Sequence, residues 1–366
     1  MRVLVVNAGS STLKLTLLDG DDAVLGQREL AAPRAAIDSA ELRTVLDDGL
    51  GDADAVGHRI VHGGERYRDA ILIDAGVESA LCDLTELAPL HQPKSLAALD
   101  AVSAALPKLP AVACFDTAFH ATLSDAAATY ALPSAWRERW RLRRYGFHGL
   151  SHSWVARRAP ELLARSAAGL RIVSCHLGAG ASLCAIADGR SIDTTMGFTP
   201  LDGLVMATRS GSVDPGLLLW LLPRTGLSPG ELADALEHDS GLQGLAGTAD
   251  MRDVLTRAGA GHPEARLALD VYLHHLRAGI AAMAAALGGI DVLAFTGGVG
   301  ERAPLIRAGA VAGLSFLGLS IDEPANLAAT GDTEITPAGA AGGRVLVITA
   351  REDLEIACQA RKVCAS

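Results

Sequence analysis

The sequence predicts an α/β protein built from two copies of one unit, and three observations predict it. The chain has 366 residues, more than one ordinary core organises and suited to two domains. Residues 2–20, "RVLVVNAGSSTLKLTLLDG", align without a gap over residues 171–189, "RIVSCHLGAGASLCAIADG". Strand, small-residue turn, second strand and terminal Asp-Gly coincide. Each copy then runs into a third strand and an alternation of helices and strands.

After the first copy, the pattern gives a third strand near 23–31, a helix over 37–46, a strand over 55–61, helices over 79–106 and the strand "AVACF". After the second copy comes the strand "RSIDTTM", then helices at 217–222 and 228–237. The latter opens on Ser228-Pro-Gly-Glu231, a capping box with proline at the first helical position. A long helix over 263–287 stops at Gly288 and Gly289, a normal helix ending. The strand "DVLAFTGG", a helix around 305–313, the strand "RVLVITA" and a last helix over 352–363 complete the chain. Three meandering strands at the start are not the Rossmann order, and neither GxGxxG nor GxxxxGK[ST] occurs. The duplicated pattern is that of two ribonuclease-H-like (actin-like) domains with a central cleft, faced by the turns at the carboxyl ends of the strands. Residues 1–117 plus 353–366 are expected to form the first lobe, and 118–352 the second.

Composition narrows the function. Hydrophobic residues are 49% and charged residues 20%, which fits a packed globular chain and not a disordered one. A formal charge of −10 argues against nucleic acid or an anionic membrane as partner. An anion site must then be built locally. The six cysteines form no CxxC pair, which in a chain this long predicts free thiols and a reducing, cytoplasmic setting. The first apolar run is strand-length and lacks a cleavage site, unlike a signal peptide.

The duplicated turn is the first site candidate. Its small residues let backbone N–H groups converge on one spot, Asn7, Ser10, Ser11 and Thr12 add side-chain donors, and Lys14 follows within reach. Such a turn can form an anion nest. A solvated glycine-rich hairpin is the better reading of one copy alone; two copies facing one cleft favour phosphate.

Ten segments spread along the chain carry a resemblance: "NAGSSTLK" (7–14), "GHRIVHGGE" (57–65), "LAPLH" (87–91), "FDTAFH" (115–120), "RRYGFHGLSH" (143–152), "CHLGAG" (175–180), "DTTMGFTPLDGL" (193–204), "TRSG" (208–211), "DMR" (250–252) and "FTGGVGE" (295–301). In these the chain resembles the acetate kinases, the acetokinase branch of the actin-like phosphotransferases. The resemblance implies transfer of a phosphoryl group from ATP to a small carboxylate, with magnesium, or alternatively manganese, as the ion, and a homodimer.

A carboxylate is already ionised at neutral pH, so this reaction needs no general base. The obstacle is an anion approaching a polyanion, and catalysis reduces to positioning and cationic stabilisation. Arg59 sits at a predicted strand end between glycines and Arg209 in a loop flanked by small residues, where guanidinium forks suit carboxylate and phosphoryl oxygens; structural salt bridges are the competing role. The resemblance assigns both to the acceptor and the transferring phosphoryl group, and His148 to the transition state. His62, His152, His274 and His275 read as core histidines. Asp116 ends a strand and Glu352 opens the last helix, positions that an N-cap and dipole compensation also explain. The resemblance makes Asn7, Asp116 and Glu352 the metal site, the sparse oxygen set magnesium takes beside phosphates. It makes Val61, Leu90, Phe147 and Pro200 the acceptor pocket. It gives phosphate contacts to His176, Gly178, Gly180, Gly297, Gly298 and Gly300, with Ser10, Thr12 and Lys14 in the first turn, and sets Asp250, Met251 and Arg252 beside the adenosine.

Departures from the family pattern gather on the donor side. "HQPKS" stands for HNPPN, Ala179 for the asparagine of HLGNG, Arg302 for the asparagine of GIGEN, and "ARED" for TNEE. A propionate or pyrophosphate-linked kinase therefore remains an alternative. So do a phosphate-chain hydrolase and a non-catalytic nucleotide-binding module of the actin or Hsp70 type.

Overall fold

The computed structural model describes every residue except 10, 11, 33–35, 89 and 90; the expected contacts of Ser10 and Leu90 lie outside the described residues. The chain divides into two compact units. The first comprises 1–121, 147–154 and 351–366, the second 122–146 and 155–350.

The first unit is built on a six-stranded sheet, with β1 (Val3–Ala8), β2 (Thr12–Leu18), β3 (Val24–Ala31), β4 (Ala55–Ile60), β5 (Ile71–Leu72) and β6 (Ala111–Phe115) in the order β3-β2-β1-β4-β6-β5. The second has β7 (Arg171–Leu177), β8 (Ala181–Ala187), β9 (Arg190–Thr194), β10 (Val292–Thr296), β11 (Thr333–Glu334) and β12 (Arg344–Val347), in the order β11-β12-β10-β7-β8-β9. Read from the other edge, the second order is the first. The central pairs β1–β4, β4–β6, β7–β10 and β10–β12 are parallel, and the flanking pairs antiparallel. Each third-strand ladder carries an irregularity, between Leu17 and Leu18 in one and between Ala185 and Ile186 in the other, one position apart in the alignment. The duplication read in the sequence is thus a duplication of topology, and the two domains are actin-like.

Alternation decides the faces of the first sheet. Leu4, Val6, Val56 and Ile60 are buried toward the helix Gln92–Ala105 and its neighbours. Gly57 lies on the opposite face, where a Cβ would press on Ile356 of the C-terminal helix Glu352–Ala365. That face carries Asn7 and Arg59 to the carboxyl ends of β1 and β4.

Several expectations need adjusting. The helical stretch expected over 79–106 is a helix at Ala75–Asp83, a 3-10 turn at Leu84–Leu87 and a second helix at Gln92–Ala105. The segment 147–154 groups with the first unit, not with the second as the sequence boundary had it. The Gly149 N–H donates to the Asp116 carbonyl at 2.8 Å, and Ser153 donates to Glu355 on the C-terminal helix at 2.8 Å. The helix Gly149–Leu162 was not anticipated; it carries Pro160 inside it. His274 and His275 are exposed, not core. On the helix Pro263–Ala286 the buried stripe runs through Ala268, Tyr272, Leu276 and Ile280, and the two histidines fall off it. His62 and His152 are fully buried.

Candidate active site

In the first unit, three parallel strands end beside one another. Val6 pairs with His58, which puts Asn7 next to Arg59. Ile60 pairs with Phe115, and the Asp116 N–H donates to the Ile60 carbonyl at 3.0 Å. Arg59 meets Asp116 side-on: Nε donates to both carboxylate oxygens at 3.2 and 3.1 Å and Nη2 to Oδ2 at 2.6 Å. Nη1 donates to Asn7 Oδ1 at 3.2 Å, and Asn7 Nδ2 donates to Glu352 Oε2 at 3.3 Å. Four sequence-predicted residues, Asn7, Arg59, Asp116 and Glu352, therefore form one connected cluster. Asp116 is 1% exposed, so its charge depends on this pairing. Burial opposes the Arg59 charge, but the carboxylates of Asp116 and Glu352 and the Asp116 hydrogen bonds outweigh it and raise its pKa above the ordinary arginine value. The oxygen donors of Asn7, Asp116 and Glu352 suit a hard divalent cation. No group of three or more His, Cys, Asp or Glu fit to hold a metal occurs among the described residues, so a magnesium ion here would lean on Asn7, waters and phosphate oxygens.

Around this cluster, Lys14 pairs in register with Asn7 and therefore projects from the same face, exposed. His148 holds φ at 56°, the left-handed region that non-glycine residues avoid. The next residue must be glycine, because a Cβ on Gly149 would collide with the Asp116 carbonyl oxygen. Strand end and histidine turn are thus locked together. Val61 is half-buried and Phe147 buried, its ring edge-on to His62 with centroids 5.5 Å apart. Sequence reasoning missed Gln92, which is fully buried. Its amide accepts from the His62 N–H at 3.1 Å and donates to the His62 carbonyl at 3.2 Å. It pins the backbone directly after Val61; its place in "HQPKS", a departure, was the available signal.

In the second unit, Arg209 is held by a Glu237 ion pair at 3.1 Å and donates to the Pro200 carbonyl at 3.0 Å. Burial lowers its pKa, and Glu237 only partly offsets that. Glu237, near the end of the helix Pro229–His238, had no motif to announce it.

The two glycine turns of this unit approach each other. Gly178 bonds to Gly180 across the turn at 2.9 Å. A Cβ on Gly178 would lie 3.7 Å from His176 Nε2 and 4.0 Å from the Gly298 nitrogen. Gly297 has φ 78°, and a Cβ there would meet Leu177 backbone atoms at 2.8–3.1 Å. Beside these turns lies a cavity of about 440 Å³ lined by Gly178, Gly298, Asp250, Met251 and Arg252. The two departures, Ala179 and Arg302, line it as well. Asp250 caps the helix Met251–Gly259 and pairs with Arg252 at 2.6 Å. The sequence also missed Arg307, fully buried, which donates to the Gly300 and Glu301 carbonyls at 2.9 and 2.7 Å and to Asn326 at 2.8 and 2.7 Å. It fastens the end of the second glycine turn.

Comparison with known proteins gives the family. A sequence model described as the acetokinase family matches residues 26–358. The chain is 45% identical to an acetate kinase of Leifsonia xyli, covering 100% of this chain and 99% of that one. It is 42% identical to an acetate kinase of Trichormus variabilis, with 98% of each covered. Among solved structures, the Porphyromonas gingivalis acetate kinase superposes with a TM-score of 0.91 at 33% identity, covering 99% of each chain. A Francisella tularensis propionate kinase gives the same TM-score, identity and coverage.

Proposed function

The chain belongs to the acetokinase family, and from that premise we propose that it transfers the γ-phosphoryl group of ATP to acetate by direct in-line displacement, reversibly. The observation that carries the residue roles is the cluster of Asn7, Arg59, Asp116 and Glu352 at the ends of three neighbouring strands. An acetate oxygen attacks the γ-phosphorus, the bond to the β,γ-bridging oxygen breaks, and ADP leaves with the electron pair. No proton has to move, so no residue is assigned as base. Arg59 and Arg209 neutralise charge on the acceptor and on the moving phosphoryl group, and His148 donates to a phosphoryl oxygen. Asp116 keeps Arg59 oriented. A magnesium ion, when bound through Asn7, Asp116 and Glu352, supplies charge neutralisation on the phosphates.

The resemblance assigns Val61, Leu90, Phe147 and Pro200 to the acetate methyl group. The 440 Å³ cavity beside Gly178 and Gly298 takes the nucleotide, its sugar and base toward Asp250, Met251 and Arg252. Its size fits a small-ligand site. A second reading, propionate as acceptor, is favoured by the equal likeness to the propionate kinase structure.

The proposed assembly is a homodimer in the cytoplasm. The helix Pro215–Thr225 exposes Leu217, Leu219 and Trp220, an apolar face suited to a second copy. All six cysteines are free, as a reducing compartment keeps them. No helix among the described residues is long and apolar enough to cross a membrane.

Coupled ADP release with and without acetate tests the activity. Acetate-dependent release is expected; acetate-independent release would indicate a hydrolase, and no release a binding module. Running propionate and pyrophosphate in parallel separates the alternative acceptor and donor.

A further inference from the structure

We propose that the first unit carries a second small-molecule site, away from the strand ends just described, that takes an amphipathic amine bearing a hydroxyl at its apolar end. A cavity of about 360 Å³ opens where β4 and β6 begin, lined by His58, Val56, Val102 and Leu106, with Asp74 and Glu78. His58 belongs to the motif "GHRIVHGG", yet nothing in the phosphoryl-transfer chemistry uses it. Its ring is 1% exposed, and neither nitrogen has a hydrogen-bond partner. A buried imidazole with both nitrogens unpaired is costly, and such groups in native structures ordinarily meet water or a ligand.

The walls decide the ligand class. Burial holds the His58 pKa down to about 3, so the ring is neutral and offers one donor and one acceptor. A hydroxyl can answer either nitrogen. Val56, Val102 and Leu106 offer apolar surface to the body of the ligand. Asp74 and Glu78 are exposed carboxylates, and no lysine or arginine lines the cavity. The Asp74 carboxylate is partly engaged by the Val77 N–H at 2.7 Å, which leaves Glu78 as the main partner of a cation. The lining therefore favours an ammonium group at the rim and excludes an anion, so the substrates of the phosphoryl-transfer site do not qualify. A volume near 360 Å³ accommodates a single aromatic ring with a short chain.

Tyramine is the probe, with phenethylamine (no hydroxyl) and 4-hydroxyphenylpropionate (anionic) as controls, titrated into the full chain. Binding is read from the His58 ring signals in long-range ¹H–¹⁵N spectra. Tyramine is expected to shift them with a dissociation constant on the order of 1 mM, what a fragment of this size reaches. Phenethylamine should bind several-fold more weakly and the anion not at all. Glu78→Gln, a surface change, should weaken tyramine about fivefold, as an ion pair at the rim contributes modestly. His58→Phe should abolish the preference for tyramine over phenethylamine; should that variant not fold, Ser103→Phe, which fills the cavity, should abolish binding instead. Equal binding of the two amines to the unmodified chain, binding insensitive to Glu78→Gln, or ring signals that report only an ordered water would each overturn the proposal.

Discussion

Arg59 and Arg209 are both half-buried arginines with a carboxylate partner, and they differ in how well their charge is balanced. Arg59 makes four hydrogen bonds to Asp116 and Asn7 and feels Glu352 besides. Arg209 has Glu237, a carbonyl oxygen and the Met206 sulfur at 3.6 Å. One pKa is raised and the other lowered. The first guanidinium is held in place before any ligand arrives. For the second, burial outweighs the single carboxylate partner. The same residue type is thus held by two polar side chains near a second carboxylate in one unit, and by a single carboxylate in the other.

The largest expected effects test that contrast. Arg59→Ala and Arg209→Ala should each lower kcat about a hundredfold or more, the loss typical of a preorganised charge donor. Their stabilities should part company. Arg59→Ala takes three charge-assisted hydrogen bonds from the buried Asp116 carboxylate and should cost about 3–5 kcal/mol, whereas Arg209→Ala should cost about 1–2 kcal/mol. Steady-state kinetics and urea unfolding measure both. Near-normal kcat with only a raised KM would remove either arginine from the transition state, and equal stability losses would erase the contrast.

Acidification should press on the first unit. Burial lowers the pKa of His58 to about 3 and of His62 to about 4, from an ordinary value of 6.5. Between those values the unfolded chain binds more protons than the folded one, so stability is intact above about pH 6.5 and lost as pH falls. Each histidine contributes about 1.4 kcal/mol per pH unit in that window. Ring-proton titration by NMR checks the cause directly: both rings should remain neutral at pH 5 in the folded protein. A midpoint near 6.5 for either would sink the assignment for that residue.

What the sequence made legible follows the same physics. A strand pair with a small-residue turn and Asp-Gly keeps its spacing through duplication, so β1–β2 and β7–β8 could be aligned residue by residue. Arg59 and Asp116 stand at strand ends in motifs, and strand alternation fixes where they point. Glu237 and Arg307 were not legible, because their partners are 28 and 19 residues away in sequence, at Arg209 and Asn326, and nothing local marks the pairing. The two-residue strands β5 and β11 were equally silent, being too short to show a period. His274 and His275 were expected in the core, and the register of the buried stripe puts both outside it.

A smaller effect is expected from Val61→Ala. Val61 follows β4 and its backbone is steadied through His62 by Gln92, so trimming the side chain should enlarge the acceptor pocket without moving Arg59. Preference should shift from acetate toward propionate by about tenfold at most, the discrimination a single methylene carries. Unchanged relative kcat/KM for the two acids would take Val61 out of the pocket.

The smallest expected effect sharpens the contrast from the donor side. Ala179 is exposed and lines the cavity proposed for the nucleotide, and its carbonyl accepts from the Ala207 N–H at 3.1 Å. The backbone of the turn is therefore fixed independently of the side chain, and Ala179→Asn adds an amide without rebuilding the loop. One added neutral hydrogen bond to a phosphate oxygen is worth about 1 kcal/mol, so the dissociation constant for ATP should fall roughly fivefold. Arg302 limits the gain, because its guanidinium already reaches within 3.9 Å of where a Gly298 Cβ would stand and can serve the same phosphates. Ala179→Asn in an Arg302→Asn background should therefore tighten binding more than in the unmodified chain. The acetate KM should not change in either background. Calorimetry on the four proteins measures the coupling: additive effects would show that Ala179 and Arg302 serve different oxygens, and a moved acetate KM would show that the turn bears on the acceptor as well.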